Sequence, residues 1–158
     1  MLELERQTDP LTESNCYLLG EGGGAVIIDP NDPARVPARL EELGWTPELI
    51  LLTHEHCDHM AGLEALRERW PQAVVVTSEA CSAGIQSKRL NMTQLMEVYL
   101  TFRGKTGVSY PPFVCRPADR TYGDTWETVW RGHRLQCTAR PGHTPGSAGI
   151  FLDGTTFF

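Results

Sequence analysis

The stretch 53-THEHCDHMAG-62 constrains the fold of this chain more than any other part of the sequence. Six consecutive positions in it carry three histidines, a glutamate, a cysteine and an aspartate, directly after the apolar run 49-LILLT-53. In a helix, His54 and His56 would point about 200° apart, because each residue turns about 100°. In a continued strand the polar side chains would divide between two faces. The strand must therefore end at Thr53, and the loop that follows can bring its side chains to one point.

The residue types in this loop are those of a metal site. Neutral imidazole and carboxylate groups suit zinc and related divalent ions. His54, His56, Asp58 and His59 offer four candidate ligands at a strand-to-helix junction, where α/β proteins commonly gather ligands and catalytic groups. The alternative interpretation is a solvated surface turn. The density of ligands directly after a buried strand argues against that alternative.

A fifth candidate ligand lies far along the chain. His143 stands between two Pro/Gly pairs in 141-PGHTPGSAG-149, in a loop expected between strands at 133–139 and 148–152. Glycine and proline let the backbone approach a metal or substrate closely and fix the direction of the histidine. A surface turn histidine is the alternative when the loop is judged alone. We expect His143 to converge with the first cluster.

The order of predicted elements indicates a layered α/β protein, with sheet facing sheet and helices outside. Asp32 is expected to cap the first helix and Gly44 to close it. Helices are predicted at 33–43, from about 58 to 70, just after 78 and at 92–102, and strands at 15–20, 24–30, 48–53, 73–77, 114–116, 126–130, 133–139, 148–152 and 155–158.

Length, charge and cysteine usage exclude several classes of protein. The 158 residues suit one domain with a real core. A net charge of −6 disfavours a nucleic-acid substrate. The N-terminus is acidic and is not followed by an apolar segment, and the apolar runs are too short to cross a bilayer, so we expect no membrane partner and a cytoplasmic location. Five scattered cysteines without a C-x-x-C pair argue against a disulfide framework or a zinc ribbon.

Three motifs together resemble a known family. H-x-H-x-D-H at 54–59, P-G-H-T-P-G-S at 141–147 and S-N-C-Y-L…I-I-D-P at 14–30 are similar to motifs of the metallo-β-lactamase-fold metallohydrolases. Within that superfamily the chain looks most similar to the glyoxalase II-like (hydroxyacylglutathione hydrolase-like) thioester and ester hydrolases. The resemblance covers nearly the whole chain, residues 1–158, and implies a four-layer αββα sandwich.

The resemblance also implies a distribution of ligands. One metal would be bound by His54, His56 and His143, and a second by Asp58 and His59. The cofactor implied is Zn²⁺, as one or two ions, with iron or manganese as alternatives. A histidine at position 56 disfavours a flavodiiron oxygen reductase, because those relatives carry a glutamate there.

Four further polar residues, near the motifs or elsewhere in the chain, are not expected to bind metal themselves. Asp29 is either a residue that orients metal ligands or a simple carboxylate of a strand-end turn. Glu55 and Cys57 alternate with the ligands, so we expect both to point away, Glu55 toward solvent and Cys57 into packing. His133 follows Gly132 at a predicted hairpin turn and is expected to be structural.

The resemblance further implies residues that this chain does not contain. Family members carry an aspartate that bridges both metals a few residues past 150-IFLDGTTFF-158, and a last histidine ligand beyond it. We therefore expect the second half of the sandwich to be incomplete and the chain to be a fragment that alone is weak or inactive. A homo-oligomer or a complementing C-terminal fragment is the expected macromolecular partner.

The reaction implied is hydrolysis. A zinc-activated water would attack the carbonyl of a thioester, ester or lactone in a small acyl substrate, and Asp58 would orient the nucleophile or move a proton. Two alternatives stay open: a mononuclear-iron sulfur dioxygenase of the same fold, and a catalytically silent metal-binding or interaction module. Segment 86–113 is either a wall for an apolar acyl group or an ordinary cover of the core.

Overall fold

The computed structural model describes residues 1–158 and contains two facing β-sheets with helices on one side. Short 3₁₀ turns occur at Cys57–His59 and Thr93–Leu95. The strands are β1 Glu3–Thr8, β2 Asn15–Glu21, β3 Gly24–Ile28, β4 Thr46–Leu51, β5 Val74–Ser78, β6 Arg120–Tyr122, β7 Thr125–Trp130, β8 His133–Ala139, β9 Ala148–Leu152 and β10 Thr156–Phe157, and the helices are α1 Arg35–Leu43, α2 Leu63–Arg69, α3 Glu79–Ile85 and α4 Met96–Phe102.

The first sheet has the order β1-β2-β3-β4-β5-β6. Its first three strands are antiparallel, and β3, β4, β5 and β6 are parallel to one another. Parallel neighbours need long crossover connections, which α1, α2 and α3 supply. The carboxyl ends of β3 and β4 therefore meet at one edge of the sheet, which puts Asp29 beside Thr53 and the loop that follows it.

The second sheet is antiparallel, with the order β10-β9-β8-β7. Its β8–β9 connection carries His143 and returns to the ligand-bearing edge of the first sheet. There the backbone N–H of Ala148 donates to the carbonyl of Thr53 at 2.7 Å. This bond joins the two sheets through the residue that precedes the first histidine motif and the residue that follows the second.

Two apolar cores cover the two faces of the first sheet. Because side chains alternate along a strand, Ile27 packs in the core under the helices and Ile28 in the core between the sheets. All five residues of β3 are buried, as expected for a strand covered on both sides. The helices cover one face of the first sheet, and the second sheet covers its other face. Residues 1–158 therefore supply three layers, α, β and β, of the αββα sandwich. The predicted fold class is confirmed.

Most predicted elements are present, with shifted boundaries. Asp32 caps a turn in which its Oδ1 accepts from the backbone N–H groups of Ala34 and Arg35, both at 2.8 Å, and regular helix begins only at Arg35. The second helix begins at Leu63, because the 3₁₀ turn occupies the residues after His56. No helix of the structure combines the length and apolar character that a membrane span requires.

Two strand predictions were wrong. Residues 114–116 form no strand; Cys115 instead donates its backbone N–H to Ile85 at 2.9 Å and runs beside α3. The sixth strand of the sheet is Arg120–Tyr122, which pairs with β5. The edge strand β1 was not predicted, since its sequence ELERQT has no apolar alternation and none of its residues is buried.

Candidate metal centre

Three histidines from two distant loops converge at the edge of the first sheet. The ligand atoms of His54, His56 and His143 all lie within 4.8 Å of one another. Their ring centroids are 4.9, 5.0 and 4.8 Å apart, which makes a nearly equilateral triangle. Three imidazoles with one side open to a cavity match the usual protein contribution to a catalytic zinc site. The donor set therefore fits a divalent metal ion.

Asp58 and His59 lie beside this triangle. His56 has an extended backbone, and the 3₁₀ turn that follows directs the next residues back toward it. The ring centroid of His59 is 4.2 Å from that of His54, and His59 Nε2 is 3.7 Å from Asp58 Oδ2. A second potential donor group consists of Asp29, His54 and His59. The 3₁₀ turn, rather than the next α-helix, brings His59 to the site.

Asp29 connects these histidines through a buried hydrogen-bond network. The residue is 3% exposed and has a positive φ of 55° directly after β3. Its Oδ1 accepts from the backbone N–H of Thr53 at 2.7 Å, and its Oδ2 accepts from the Thr53 hydroxyl at 2.5 Å. The same Oδ2 lies 2.9 Å from His59 Nδ1. One carboxylate thus contacts a candidate ligand directly and reaches another through Thr53.

This network assigns the tautomers of two histidines. The single proton of the Thr53 hydroxyl is donated to Asp29, so the hydroxyl oxygen accepts from His54 Nδ1, 3.0 Å away. Nδ1 of His59 likewise donates to the Asp29 carboxylate. In its neutral form each ring then carries its single proton on Nδ1, which leaves a free lone pair on Nε2. The two Nε2 atoms are the atoms available to bind a metal.

Burial keeps part of the cluster neutral. Desolvation, followed by the charges of the neighbouring histidines, lowers the pKa of His54 to about 3. Desolvation and His143 lower the pKa of His56. Burial is the largest single effect on His59 and acts in the same direction, but the hydrogen bond to Asp29 and the charges of Asp29 and Asp58 together raise its pKa. His54 and His56 are therefore in the deprotonated state that metal binding requires.

Glu55 and Cys57 had been predicted to point away from the ligands. Cys57 is fully buried and packs with Met96 and Leu100, as expected. The prediction that Glu55 faces solvent was wrong: it is 2% exposed, and its Oε2 accepts from Thr144 Oγ1 at 2.8 Å. The alternation of side-chain direction that a strand imposes does not continue beyond Thr53. The β8–β9 loop covers the Glu55 side chain and excludes solvent from it.

His133 is separate from both donor groups, in agreement with its structural interpretation. It begins β8, where Nε2 lies 2.7 Å from Glu21 Oε2 and Nδ1 lies 2.8 Å from Asp153 Oδ2. Asp153 also accepts from the backbone N–H of Arg134. The ring therefore joins the β2–β3 hairpin to the β9–β10 hairpin.

A cavity of about 250 Å³ opens onto the cluster. All five candidate ligands line one side of it, and segment 86–113 supplies the other side. The lining residues are His54, His56, Asp58, His59 and His143 on the polar side and Met92, Leu95, Met96 and Tyr99 on the apolar side. Segment 86–113 thus lines the cavity, and it also covers the core, since Met96 and Leu100 pack against Cys57.

Several residues of the site were missed by the sequence analysis. Thr53 was treated only as the end of a strand, although its position between the strand and the first histidine was a usable signal. Thr144 lies next to His143 but gave no signal of its own, because its contact to Glu55 joins residues that are 89 positions apart. Met92, Leu95 and Met96 lie in segment 86–113, which was considered as a possible wall, but none of the three was singled out.

The fold and the clustered histidines define a metallo-β-lactamase type of protein. The family model of the Metallo-beta-lactamase superfamily matches residues 9–157, and the chain belongs to this superfamily. The match covers the H-x-H-x-D-H motif and the His143 loop together.

The chain is also similar to curated proteins named hydroxyacylglutathione hydrolase. It is 48% identical over 60 residues to that protein of Klebsiella pneumoniae, which is 37% of this chain and 24% of the relative. It is 47% identical over 58 residues to that of Dechloromonas aromatica, which is 37% of this chain and 22% of the relative. The matched segments thus span about a quarter of the length of the relatives, and the glyoxalase II-like resemblance is confirmed over those segments.

Solved structures share the fold over nearly the entire chain. The crystal structure of the BLEG-1 B3 metallo-beta-lactamase aligns with a TM-score of 0.76 and 25% identity, covering 96% of this chain and 66% of that one. A metallo-beta-lactamase from Staphylococcus aureus aligns with a TM-score of 0.63 and 19% identity, covering 96% of this chain and 38% of that one.

Proposed function

We propose that this protein is a metal-dependent hydrolase that cleaves a thioester, ester or lactone. The observation that carries the proposal is the triangle of His54, His56 and His143, which lines the cavity together with Asp58 and His59. The superfamily and the relatives named hydroxyacylglutathione hydrolase support hydrolysis as the reaction class.

The five candidate ligands divide between two metal positions in this proposal. His54, His56 and His143 would hold one ion, and Asp58 and His59 would contribute to a second. Zn²⁺ fits imidazole and carboxylate donors, and iron and manganese bind the same groups. A divalent ion bound by these residues would supply the nucleophile, because zinc can lower the pKa of a coordinated water from about 15.7 to about 7.

The chain's own side chains orient and exchange protons. Asp29 orients His59 directly and His54 through Thr53. Asp58 lies on the cavity wall, where its carboxylate would orient the attacking water or accept its proton. Cys57 is not a competing nucleophile, since burial raises the pKa of its thiol to about 12.

The cavity favours a small acyl substrate with an apolar portion. Met92, Leu95, Met96 and Tyr99 line the side that faces the histidines. Leu95 and Tyr99 are about half exposed, so an acyl chain that covers them gains about 0.8 kcal/mol for each buried methylene. In this arrangement the apolar part lies on the wall and the scissile carbonyl lies at the histidines.

The experiment that tests the function combines metal analysis with a substrate panel. The purified protein is assayed for bound zinc, iron and manganese and for turnover of a hydroxyacylglutathione thioester, a simple ester and a lactone. Zinc with hydrolysis of at least one substrate supports the proposal. Iron with oxygen-dependent turnover of a persulfide indicates the dioxygenase alternative, and bound metal without any turnover indicates the silent module. The cytoplasmic location and the expected protein partner remain predictions.

A further inference from the structure

The loop that carries His143 has few attachments to the rest of the protein. Three residues in its first half, Pro141, Gly142 and His143, are exposed, whereas Thr144 and Gly146 are buried. Several hydrogen bonds, such as Thr144 N–H to Ser147 Oγ at 3.1 Å, only shape the loop internally. The direction of His143 therefore depends on how its buried neighbours are attached.

Glu55 is the attachment point on the side of the other histidines. Its Oε2 accepts from Thr144 Oγ1 at 2.8 Å, and its Oε1 accepts a longer bond from the Gly146 N–H at 3.4 Å. Glu55 lies between His54 and His56 in the sequence, and Thr144 directly follows His143. Each partner in the shorter bond is thus covalently adjacent to a candidate metal ligand.

Two glycines pack directly against the Glu55 side chain. A Cβ atom added at Gly84 would overlap Glu55 Cγ, and one added at Gly146 would overlap Glu55 Oε2. On the far side of the loop, Ser78 Oγ donates to the carbonyl of Gly146 at 2.8 Å. Two glycines therefore form a slot that holds the carboxylate between α3 and the loop.

The chemistry of this slot is unusual for a purely structural contact. A buried carboxyl group with two neutral donors costs free energy that an apolar side chain of similar size would avoid. None of the ion pairs of the chain involves Glu55, so charge neutralisation does not explain its burial. The carboxylate instead provides two acceptor oxygens, and both accept hydrogen bonds from the β8–β9 loop.

We propose that Glu55 is a positioning residue that sets the place of His143 relative to His54 and His56, and thereby the affinity and geometry of the three-histidine site. The inference rests on the proposed metal site but not on the identity of the substrate. Since the backbone of Thr144 is fixed through its side chain, loss of the contact frees the exposed histidine while leaving the other two ligands in place.

The test measures metal binding rather than catalysis. Co²⁺ is titrated into the metal-free protein, and its affinity and visible absorption spectrum are recorded for the wild type and for Thr144→Val, Glu55→Ala and Glu55→Gln. Thr144→Val keeps the volume of the side chain and removes the hydroxyl that donates to Glu55, together with its 2.8 Å contact to Ser147 Oγ. Ser82→Ala is the matched control, because Ser82 is a buried side chain of α3 whose Oγ accepts from Ala118 N–H at 3.0 Å, in a contact unrelated to the β8–β9 loop.

We expect Thr144→Val and Glu55→Ala to bind Co²⁺ about 10- to 100-fold more weakly, as is typical when a residue supporting a ligand is removed. Their spectra change in the same way, and Glu55→Gln, which keeps one acceptor oxygen, recovers part of the affinity. Ser82→Ala matches the wild type. Thermal unfolding of each metal-free variant verifies the fold, and Thr144→Val remains decisive if Glu55→Ala does not fold.

Two contrary outcomes are distinguishable. Wild-type affinity and spectrum in a folded Thr144→Val variant overturn the role of Glu55 and leave the proposed function standing. Failure of the wild-type protein to bind Co²⁺ at all overturns the metal site and with it both proposals. Strong Co²⁺ binding without hydrolysis counts against the proposed function alone.

Discussion

His59 Nδ1 donates a hydrogen bond to Asp29 Oδ2 at 2.9 Å, and the same oxygen accepts the Thr53 hydroxyl that orients His54. One buried carboxylate thereby orients a histidine of each donor group. The relationship depends on the parallel pairing of β3 with β4, which places the residues after both strands at the same sheet edge.

The first prediction concerns Asp29 itself. Asp29→Asn replaces one acceptor oxygen by an amide donor, so either Thr53 or His59 loses its acceptor. We expect metal affinity to fall about 10- to 100-fold, measured by competition with a chromophoric chelator. Asp32→Asn is the control, since Asp32 caps a nearby turn and asparagine caps equally well. Equal affinities in the two variants would show that Asp29 belongs only to a turn.

The second prediction separates ligands from their sequence neighbours. His54→Ala removes one corner of the triangle, and we expect the protein to lose its metal on gel filtration. Cys57→Ala changes a side chain that packs with Met96 and Leu100, so metal content stays near that of the wild type while stability falls by about 1 kcal/mol. Metal analysis of the eluted protein decides the matter, and metal loss from the cysteine variant argues against this assignment.

The third prediction concerns the apolar wall. Leu95→Ala removes apolar surface from the cavity lining. We expect kcat/KM for a long-chain thioester to fall about fivefold, which corresponds to about 1 kcal/mol of lost binding, with little change for an acetyl thioester. Val98→Ala serves as the control, because Val98 is an exposed apolar residue close to Leu95 in sequence that does not line the cavity. A uniform decrease for both substrates would exclude the wall as an acyl site.

The fourth prediction is a pH dependence of stability away from the metal site. The hydrogen bonds of His133 to Asp153 and Glu21 raise its pKa, so the folded state favours the protonated ring. This stabilisation is present in full below the unfolded pKa of about 6.5 and is lost as the pH rises through the higher folded value.

We therefore expect the melting temperature of the metal-free wild type to fall, relative to that of His133→Gln, as the pH rises above about 6.5. Thermal unfolding in the presence of a chelator measures both. Parallel curves for the wild type and the variant would assign the pH dependence to other groups.

The parts of the site that were predictable lie close together in sequence. H-x-H-x-D-H after a buried strand identifies four of the five candidate ligands at once, because these four lie within six consecutive positions. The contact between Glu55 and Thr144 was not predictable, since it joins positions 89 residues apart and contradicts the alternation that the strand suggests. The edge strand β1 escaped prediction for a different reason: it is held by pairing with β2, while its own side chains carry no apolar pattern.

The central claim, that the histidine triangle holds a metal required for hydrolysis, is tested most directly by a zinc titration of the metal-stripped protein. The initial rate of thioester hydrolysis is followed as Zn²⁺ is added, with His143→Ala alongside. The account predicts a background rate without metal, a rise that saturates at about one or two ions per chain, and no comparable rise in the variant. Full turnover in the stripped protein, or an identical titration curve for His143→Ala, would contradict it.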